Sequence, residues 1–305
     1  LLDQIVKDAE GRDALLIAGP TASGKSALAM AAAQAVGGVV VNADSMQIYA
    51  RLRILTARPT AVEEAAVEHR LYGFVDPAIA FSTGDYVRAV KPVLAELKAR
   101  GKLAVIVGGT GLYFKALTDG LVAMPEIPPA IMAEVEAMEA AGHSLHGWLQ
   151  REDPEAAARL SPADRPRLQR AVSVKRATGR TLGEWQRNAT VPLLPAGSWA
   201  GVFLTPDRQT LYDRIDRRFL AMMEQGALEE ARLIRSLALP ANRGIMKAHG
   251  MPHLIRHLDG GMTLEEAIAM GQQDTRNYAR RQGVWARRFM TEWRHVDPDQ
   301  PLSER

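Results

Sequence analysis

The sequence predicts an α/β protein in which a parallel sheet is covered by helices on both faces. Apolar runs of strand length recur along the chain, glycines follow several of them, and helical stretches separate them. Such runs are typical of a parallel sheet that is buried on both faces. The chain has 305 residues, which exceeds the usual size of a single domain. We therefore expect one large core with an insertion, or two domains.

Four apolar runs are predicted as strands: DALLIAG (13–19), GGVVVNADS (37–45), KLAVIVGGTG (102–111) and WAGVFLTP (199–206). Between them, SALAMAAAQAV (26–36) and DYVRAVKPVLAELKARG (85–101) are predicted as helices because they are rich in helix-forming residues.

Residues 121–198 follow a different pattern. Helical stretches punctuated by proline and glycine succeed one another there, and none of them reads as a strand. We predict an inserted all-helical domain over 121–198 and a core formed by 1–120 and 199–305. Two long helical stretches, 207–237 and 263–293, follow the fourth strand.

The composition is that of a globular protein, with 47% hydrophobic and 24% charged residues. No apolar run approaches the roughly 20 residues that a membrane helix needs, and the first residues do not fit a secretory signal. The chain contains no cysteine, which excludes disulfides, thiolate zinc sites and cysteine nucleophiles. We expect a cytoplasmic, monomeric protein with no membrane partner.

The segment GPTASGKS, Gly19 to Ser26, lies between the first strand and the first helix and fits GxxxxGK[ST]. Glycines let backbone N–H groups point at phosphate oxygens, and the helix N-terminus adds the positive end of its dipole. Lys25 supplies a positive charge, and Ser26 a hydroxyl for Mg²⁺. The sequence therefore predicts a P-loop NTPase-like sheet with a phosphate site. The motif requires a diphosphate and does not say which molecule carries it.

Asp44 follows the second strand, at the edge where open α/β sheets bind ligands. An aspartate in this place is more often a helix cap or a turn residue, and a catalytic base is the alternative. The residues that follow, DSMQIYARLRILTARP, show little strand or helix periodicity and contain many polar side chains. We interpret 44–59 as a loop built for contacts.

Basic residues concentrate in DRPRLQRAVSVKRATGR (164–180), DRIDRRF (213–219) and TRNYARRQGVWARRF (275–289). In the second run, Arg214 and Arg218 are four residues apart and share a helix face. A single run of this kind is usually a solvated helix face. Three runs together with a phosphate loop favour a polyanionic partner.

His249, His253 and His257 are spaced by four residues and could line one helix face as metal ligands. Gly250 and Pro252 interrupt that helix, so the spacing does not favour a metal site.

Taken in order, GPTASGKS, DSMQIY, TARP, VGGTGLYFKAL, DRPRLQRA and TRNYARRQGVWARR resemble the bacterial tRNA dimethylallyltransferases, over roughly Leu15 to Trp293. The combination of the first motif with DSMQIY and GGTGLY is highly specific. The resemblance implies transfer of the dimethylallyl group of dimethylallyl diphosphate to the N6 amine of the adenosine at position 37 of tRNA, with release of diphosphate. The implied partners are dimethylallyl diphosphate and the tRNA anticodon stem-loop, gripped by the inserted helices, and the implied cofactor is Mg²⁺.

The catalytic roles that the resemblance implies fall on Thr21, Lys25, Asp44 and Arg218. An exocyclic adenine amine is a poor nucleophile and needs a base, and a diphosphate leaving group needs positive charge. Asp44 and Arg218 suit these two roles, with Arg214 as the less favoured choice for the second.

The implied diphosphate-binding residues are Gly19, Pro20, Thr21, Ala22, Ser23, Gly24, Lys25, Ser26 and Arg214, and Ser26 is also the implied Mg²⁺ ligand. The implied tRNA-binding residues are Asp44, Ser45, Met46, Gln47, Thr110, Pro166, Arg167, Leu168, Gln169, Arg170, Lys247, Arg280, Arg281, Gln282, Trp285 and Arg287.

The chain departs from the family pattern at four positions. Leu55 stands where the family has glycine, Arg58 where it has lysine, and His249 and Met251 occupy KAHGM where it usually reads KALGY. These departures bear on local tRNA contacts more than on the reaction.

Two classes of alternative remain. A transferase acting on free adenine nucleotides, or a small-molecule P-loop kinase, would share the phosphate loop, but neither explains a basic helical insertion. A non-catalytic RNA-binding protein would not need Lys25, Ser26 and Asp44 intact.

Overall fold

The computed structural model describes residues 1–122, 124, 126–187 and 190–300, which divide into two compact units. One unit contains 1–119 and the chain from 192 onward, and the other contains 120–191. The segment predicted as an insertion, 121–198, includes Ala123, Pro125, Asn188 and Ala189, which lie outside the described residues.

The end of the second unit differs from the predicted boundary because 192–198 leads into the sheet. Leu194 N–H donates to Leu117 O at 3.0 Å, and Ser198 O accepts from the N–H groups of Asp13 and Ala14 at 2.8 and 3.2 Å. These residues therefore belong with the strands and not with the inserted helices.

The first part of the chain alternates helices and strands. Its elements are α1 (Leu2–Asp8), β1 (Ala14–Ala18), α2 (Lys25–Val36), β2 (Val39–Asn42), α3 (Ala61–Ala66), β3 (His69–Arg70), α4 (Thr83–Ala99), β4 (Ala104–Gly108) and α5 (Gly111–Thr118). The second unit contributes α6 (Pro129–Ala140), α7 (Leu145–Glu152), α8 (Pro154–Arg159), α9 (Arg165–Thr178) and α10 (Leu182–Gln186).

The chain then returns to the first unit. It forms β5 (Trp199–Leu204), α11 (Arg208–Glu224), α12 (Ala227–Ser236), a 3-10 helix (Gly244–Lys247), α13 (Met251–Leu258), α14 (Leu264–Phe289) and β6 (Arg294–Val296).

Six parallel strands form one sheet in the order β3-β2-β4-β1-β5-β6. The four predicted strands are confirmed as β1, β2, β4 and β5. β3 and β6 were not predicted, because two and three residues at the sheet edges give no apolar periodicity.

Successive residues of each strand point to opposite faces of the sheet, so alternate residues contribute to two separate apolar layers. Leu16, Val41 and Ile106 pack on the face that α4 and α5 cover. Leu15, Val40 and their neighbours pack on the opposite face, which α1 and α2 cover. The predicted α/β class, with helices on both faces of a parallel sheet, is therefore confirmed.

The second unit consists of helices in its described residues, and it has an apolar core of its own. The buried members of that core are Val135, Leu145, Leu149, Ala156, Ala157, Leu168, Ala171 and Val172. Leu168 is 4% exposed, so the expectation that its side chain contacts tRNA does not fit its position.

Tyr86 and Tyr113 stack face to face on one side of the sheet, with ring centroids 3.9 Å apart. The Tyr86 hydroxyl is buried and has no hydrogen-bond partner among the described residues. A buried hydroxyl without a partner lowers stability, because it has lost its hydrogen bonds to water.

We expect Tyr86→Phe to keep or raise the free energy of unfolding, by up to about 1 kcal/mol. The matched Tyr86→Ala should lower it by about 3–5 kcal/mol, because it leaves a cavity beside Tyr113. Urea denaturation of both variants provides the measurement. A Tyr86→Phe variant that loses stability would mean that the hydroxyl has a partner.

Candidate active site

The loop of Gly19 to Ser26 connects the end of β1 to the start of α2. Gly24 adopts a left-handed conformation with φ +86° where the loop enters the helix. Ala22 also has a positive φ, +64°, which is costly for a residue with a side chain. The loop therefore holds a strained conformation that directs its backbone toward the helix N-terminus, as a phosphate cradle requires.

Lys25 extends back over this loop, and its Nζ donates to Pro20 O at 3.2 Å. The pKa of Lys25 is lowered to about 8, mainly by burial, with nearby Asp44 opposing the shift and Arg218 adding to it. The three charges therefore lie close enough to act on one another. Two half-buried cations against one carboxylate leave a positive site that an anion would complement.

Arg218 reaches the same loop from α11, where its Nη2 donates to Thr21 Oγ1 at 2.5 Å. Arg214, one helical turn earlier, pairs instead with Asp299 at 2.7 Å. The structure therefore brings Arg218 to the phosphate loop and engages Arg214 elsewhere. The expectation that Arg214 helps to bind diphosphate is not supported by this arrangement.

Asp44 lies just beyond β2, and its two oxygens have different surroundings. Oδ1 accepts the Met46 N–H at 2.9 Å, and Asn42 Oδ1 accepts the Asp44 N–H at 2.9 Å. These bonds fix a tight turn, so Asp44 is a turn residue, and its role as a base stays a prediction. Oδ2 accepts no hydrogen bond from the described residues, and a β-carbon placed on Gly109 would lie 3.4 Å from it. One carboxylate oxygen thus holds the turn while the other stays available.

Two further loops meet beside Asp44. Thr110 Oγ1 accepts the Ser45 N–H at 2.9 Å. Gln282 on α14 accepts the Thr21 N–H at 3.0 Å and donates to Gly109 O at 2.9 Å. The amide of this one side chain therefore joins the phosphate loop to the loop after β4.

Gln282 was expected to contact tRNA, but it is 8% exposed and its amide is engaged within the protein. Trp285, also expected at the tRNA, is partly buried and packs on Gly111, where an added β-carbon would lie 2.3 Å from its ring. Both side chains lock α14 to the loops of the sheet. Trp285 keeps part of its surface exposed, so its contact with tRNA stays a prediction.

A pocket opens between the phosphate loop, Asp44 and the C-terminal helices. Its lining residues are Thr21, Asp44, Met46, Leu55, Thr56, Ile215, Arg218, Phe219, Met222, Ala248, His249, Thr275 and Tyr278. Met46, Leu55, Ile215, Phe219 and Met222 form an apolar part of its wall, and the charged groups that reach in are Asp44 and Arg218. Such a pocket suits an uncharged carbon skeleton held between an acid and a phosphate cradle.

Sequence reasoning did not identify the apolar wall that α11 contributes. Ile215, Phe219 and Met222 are spaced four and three residues apart, so they share the helix face of Arg218. That periodicity was present in the sequence. What it could not reveal was that this face borders a pocket.

The three histidines point to different partners. His249 lines the pocket and packs on Tyr278, with ring centroids 4.4 Å apart. Burial lowers the pKa of His249, with Asp44 opposing. His253 bonds to Asp274 at 2.8 Å, and the His257 ring lies 3.1 Å from Met262 O. Gly250 ends the turn before α13, which separates His249 from the helix.

The other departures from the family pattern are structural in this chain. Leu55 is buried and lines the pocket, and Met251 is buried in the C-terminal helices. Arg58 donates to Tyr49 O and Ala50 O at 3.1 and 3.3 Å and so braces its own loop. Gln47 does the same through Thr56 O and Ala57 O, both at 2.9 Å.

The basic residues differ in how many acids face them. In the second unit, Arg165 pairs with Glu139, Arg167 with Asp164, and Arg176 with Glu134. Pro166 and Arg170 are exposed, and Gln169 bonds to Glu139. Glu134 and Glu139 lie on α6, outside the 164–180 run, so the charge of that run does not include them.

On α14 the arrangement is different. Arg276 pairs with Asp216, whereas four exposed arginines have no ion pair with any described residue. They are Arg280, Arg281, Arg287 and Arg288. Lys247 is also exposed. This part of the first unit therefore offers free positive charge to a partner.

The oxygen donors at the phosphate loop fit Mg²⁺ only in company with a diphosphate. Ser26 exposes its hydroxyl in the first turn of α2. In the part of the chain that the structure describes, no three acidic or histidine side chains could hold a metal by themselves. At phosphate sites, Mg²⁺ takes one or two protein oxygens and completes its shell with phosphate oxygens and water. Ser26 is the residue that would hold it.

The fold and this site define the protein as a P-loop protein with a phosphate cradle, an acid and an apolar pocket at one sheet edge. A family model described as IPP transferase matches residues 47–289. A tRNA dimethylallyltransferase of Rhodopseudomonas palustris is 54% identical over 94% of this chain and 90% of its own length. The chain therefore belongs to the IPP transferase family.

Solved structures agree with this assignment. The chain is 32% identical to the full-length tRNA isopentenylpyrophosphate transferase of Bacillus halodurans, with a TM-score of 0.68 over 93% of this chain and 89% of that one. A eukaryotic dimethylallyltransferase acting on tRNA shares the fold, with a TM-score of 0.80, 24% identity and coverage of 93% and 73%. No described helix of this chain is long and apolar enough to cross a bilayer.

The position of Lys25 predicts that pyrophosphate affinity depends on pH. In the free protein its pKa is about 8, and a bound anion raises that value because it stabilises the charged form. Above pH 8, pyrophosphate binding must therefore be accompanied by protonation of Lys25. The contribution of the charged lysine to pyrophosphate affinity then falls by up to about tenfold per pH unit.

Calorimetric titration with pyrophosphate between pH 6.5 and 9.5 tests this, with Lys25→Met as the control for titration of the ligand itself. The affinity gap between wild type and Lys25→Met should narrow above pH 8. A gap that stays constant over the whole range would contradict the lowered pKa.

Proposed function

We propose that this protein transfers the dimethylallyl group of dimethylallyl diphosphate to the N6 amine of the adenosine at position 37 of tRNA, next to the anticodon, and releases diphosphate. The observation that carries the proposal is that Asp44 and Arg218 face one pocket, partly apolar, beside the phosphate loop. The names of the similar proteins support the group transferred and the tRNA acceptor.

In this proposal the phosphate loop holds the diphosphate of the donor. The C1–O bond breaks during transfer, and negative charge accumulates on the departing diphosphate. Lys25, the loop N–H groups and Arg218 oppose that charge, in a site where burial strengthens each interaction. Mg²⁺ held at Ser26 would supply further positive charge to the same oxygens.

Asp44 Oδ2 accepts the proton that N6 loses as the new N6–C1 bond forms. The adenine amine is a weak nucleophile because its lone pair is delocalised into the ring, and a base aimed at its proton corrects this. The turn that Asp44 Oδ1 makes with Met46 holds the carboxylate in place. Asp44 thus stabilises the turn through Oδ1 and acts as the base through Oδ2.

Leu55, Phe219 and Met222 line the pocket, and in this proposal they keep water from the reacting carbon. An allylic carbon with a departing diphosphate would otherwise be hydrolysed, so a dry pocket protects the transfer. The target base must leave its stack to reach this pocket, which costs least in a single-stranded loop such as the anticodon loop.

Transfer to free adenine nucleotides is the alternative. The free arginines of α14 and the exposed Arg170 favour a polyanionic acceptor, because a mononucleotide would not need them. We further propose that the enzyme is a cytoplasmic monomer. Incubation with labelled dimethylallyl diphosphate and either total tRNA or AMP decides between the acceptors. Label in AMP alone, or phosphoryl transfer from ATP as the main activity, would contradict the proposal.

Replacing Asp44 by asparagine should nearly abolish transfer while leaving the fold intact. Asparagine keeps the oxygen that accepts the Met46 N–H but cannot serve as a base. We expect the single-turnover rate to fall about 10²–10⁴-fold, with tRNA affinity close to wild type. Rates within a few-fold of wild type would remove Asp44 from this role.

The dependence of tRNA affinity on salt should report the arginines that contact phosphates. Each lost contact flattens the slope of log affinity against log salt by roughly 0.7–0.9. We therefore expect the Arg167→Ala/Arg170→Ala and Arg280→Ala/Arg287→Ala pairs each to flatten it by about one to two units. Pyrophosphate affinity should hardly change, because other segments build the cradle.

The control is Arg88→Ala/Arg232→Ala. Both residues are exposed and pair with an acid on their own helix, Asp85 and Glu229. This variant should keep the wild-type slope. If the folded Arg167/Arg170 variant keeps the wild-type slope of log tRNA affinity against log salt, those residues form an ordinary solvated helix face. The phosphate contacts would then come from the arginines of α14.

A further inference from the structure

Glu230 on α12 binds a stretch of backbone that lies far from it in sequence. Its Oε1 accepts the N–H groups of Arg53 and Ile54, both at 2.8 Å, and its Oε2 accepts the Leu55 N–H at 2.9 Å. Both carboxylate oxygens are thus used on three consecutive N–H groups. The steps of the proposed transfer do not use this residue directly.

The three N–H groups are available because they begin an isolated turn. Arg58 N–H donates to Arg53 O and Ala57 N–H to Ile54 O, both at 2.9 Å, which closes a single turn over 53–58. The first N–H groups of such a turn have no partner within it, and together they form a concave anion site. Glu230 fills that site from within the protein.

This turn forms part of the pocket wall. Leu55 and Thr56 line the pocket, and the loop that carries them, 44–58, begins at Asp44. Glu230 lies on the helix that follows α11 directly after Gly226, and α11 carries Arg218. The contact of Glu230 with the turn therefore connects the loop that carries Asp44 to helices α11 and α12, and Arg218 lies on α11.

Apolar contacts between these parts carry little directional information. Leu52, Leu55, Met222 and Ala231 belong to one buried cluster, but the hydrophobic effect is non-directional. Three charge-assisted hydrogen bonds have defined lengths and directions. Glu230 supplies the directional part of this contact.

We propose that Glu230 is a positioning residue for the transfer reaction: it holds the 44–58 loop at the spacing from α11 at which Asp44 and Arg218 act on one pair of substrates. The proposal rests on the proposed function for its catalytic part. The contact of Glu230 with the N–H groups of residues 53–55, which we call the clamp, is supported by the hydrogen bonds alone.

The test compares Glu230→Ala and Glu230→Gln with Glu229→Ala and Glu229→Gln. Glu229 is the neighbouring residue on the same helix, and it is exposed and pairs with Arg232. Glutamine at position 230 keeps one acceptor oxygen and places an NH₂ group where the other oxygen stood, so we expect an intermediate effect. It also serves if Glu230→Ala fails to fold.

Three quantities are measured on the full-length protein: hydrogen exchange at the amides of residues 53–55, kcat for tRNA, and pyrophosphate affinity. In Glu230→Ala the three amides should exchange faster and kcat should fall about tenfold or more, since small misplacements of reacting groups are costly. Pyrophosphate affinity should stay within about twofold, because the phosphate loop is built elsewhere. The Glu229 variants should match wild type.

A kcat within about twofold of wild type in Glu230→Ala would overturn the positioning role. So would a parallel loss of kcat, pyrophosphate affinity and melting temperature, which would show that Glu230 serves folding alone. Unchanged exchange at the three amides would overturn the clamp itself. Absence of transfer in the wild type would instead contradict the proposed function, so the two failures are distinguishable.

Discussion

Parallel alignment of β1, β2 and β4 is the constraint on which the site depends. Ala18 is paired with Gly108, and Asn42 with Val107, so the three strands end within one residue of each other. Because they run in the same direction, the phosphate loop, Asp44 and the loop of Thr110 all emerge at one edge of the sheet. An antiparallel neighbour would have sent one of these loops to the opposite edge.

The features that sequence could predict are local ones. The phosphate loop, the four long strands and the turn at Asp44 each depend on residues within a short window, and patterns of apolar residues and glycine encode them. The edge strands β3 and β6 carry too few residues for any pattern. They form because neighbouring strands offer free hydrogen-bonding groups, which is a tertiary effect.

Roles that depend on distant partners could not be predicted from the sequence. Arg214 and Arg218 share a helix face, yet Asp299 pairs with the first and Thr21 with the second. The basic run in the second unit faces acids of α6 that lie outside the run. The sequence predicted Gln282 as a tRNA contact, whereas its buried amide joins the phosphate loop to the loop after β4. In each case the deciding partner lies far away in sequence.

The bridge made by Gln282 also sets the order in which the protein becomes competent. Its partners Thr21 and Gly109 precede it by 261 and 173 residues. During synthesis from the N-terminus, β1 to β5 and the phosphate loop are made before α14. Until then the Thr21 N–H and the Gly109 carbonyl remain hydrated, and the two loops are not yet joined. Catalytic competence is therefore a late event in the life of the nascent chain, and a polypeptide truncated before α14 would lack both this bridge and the edge strand β6.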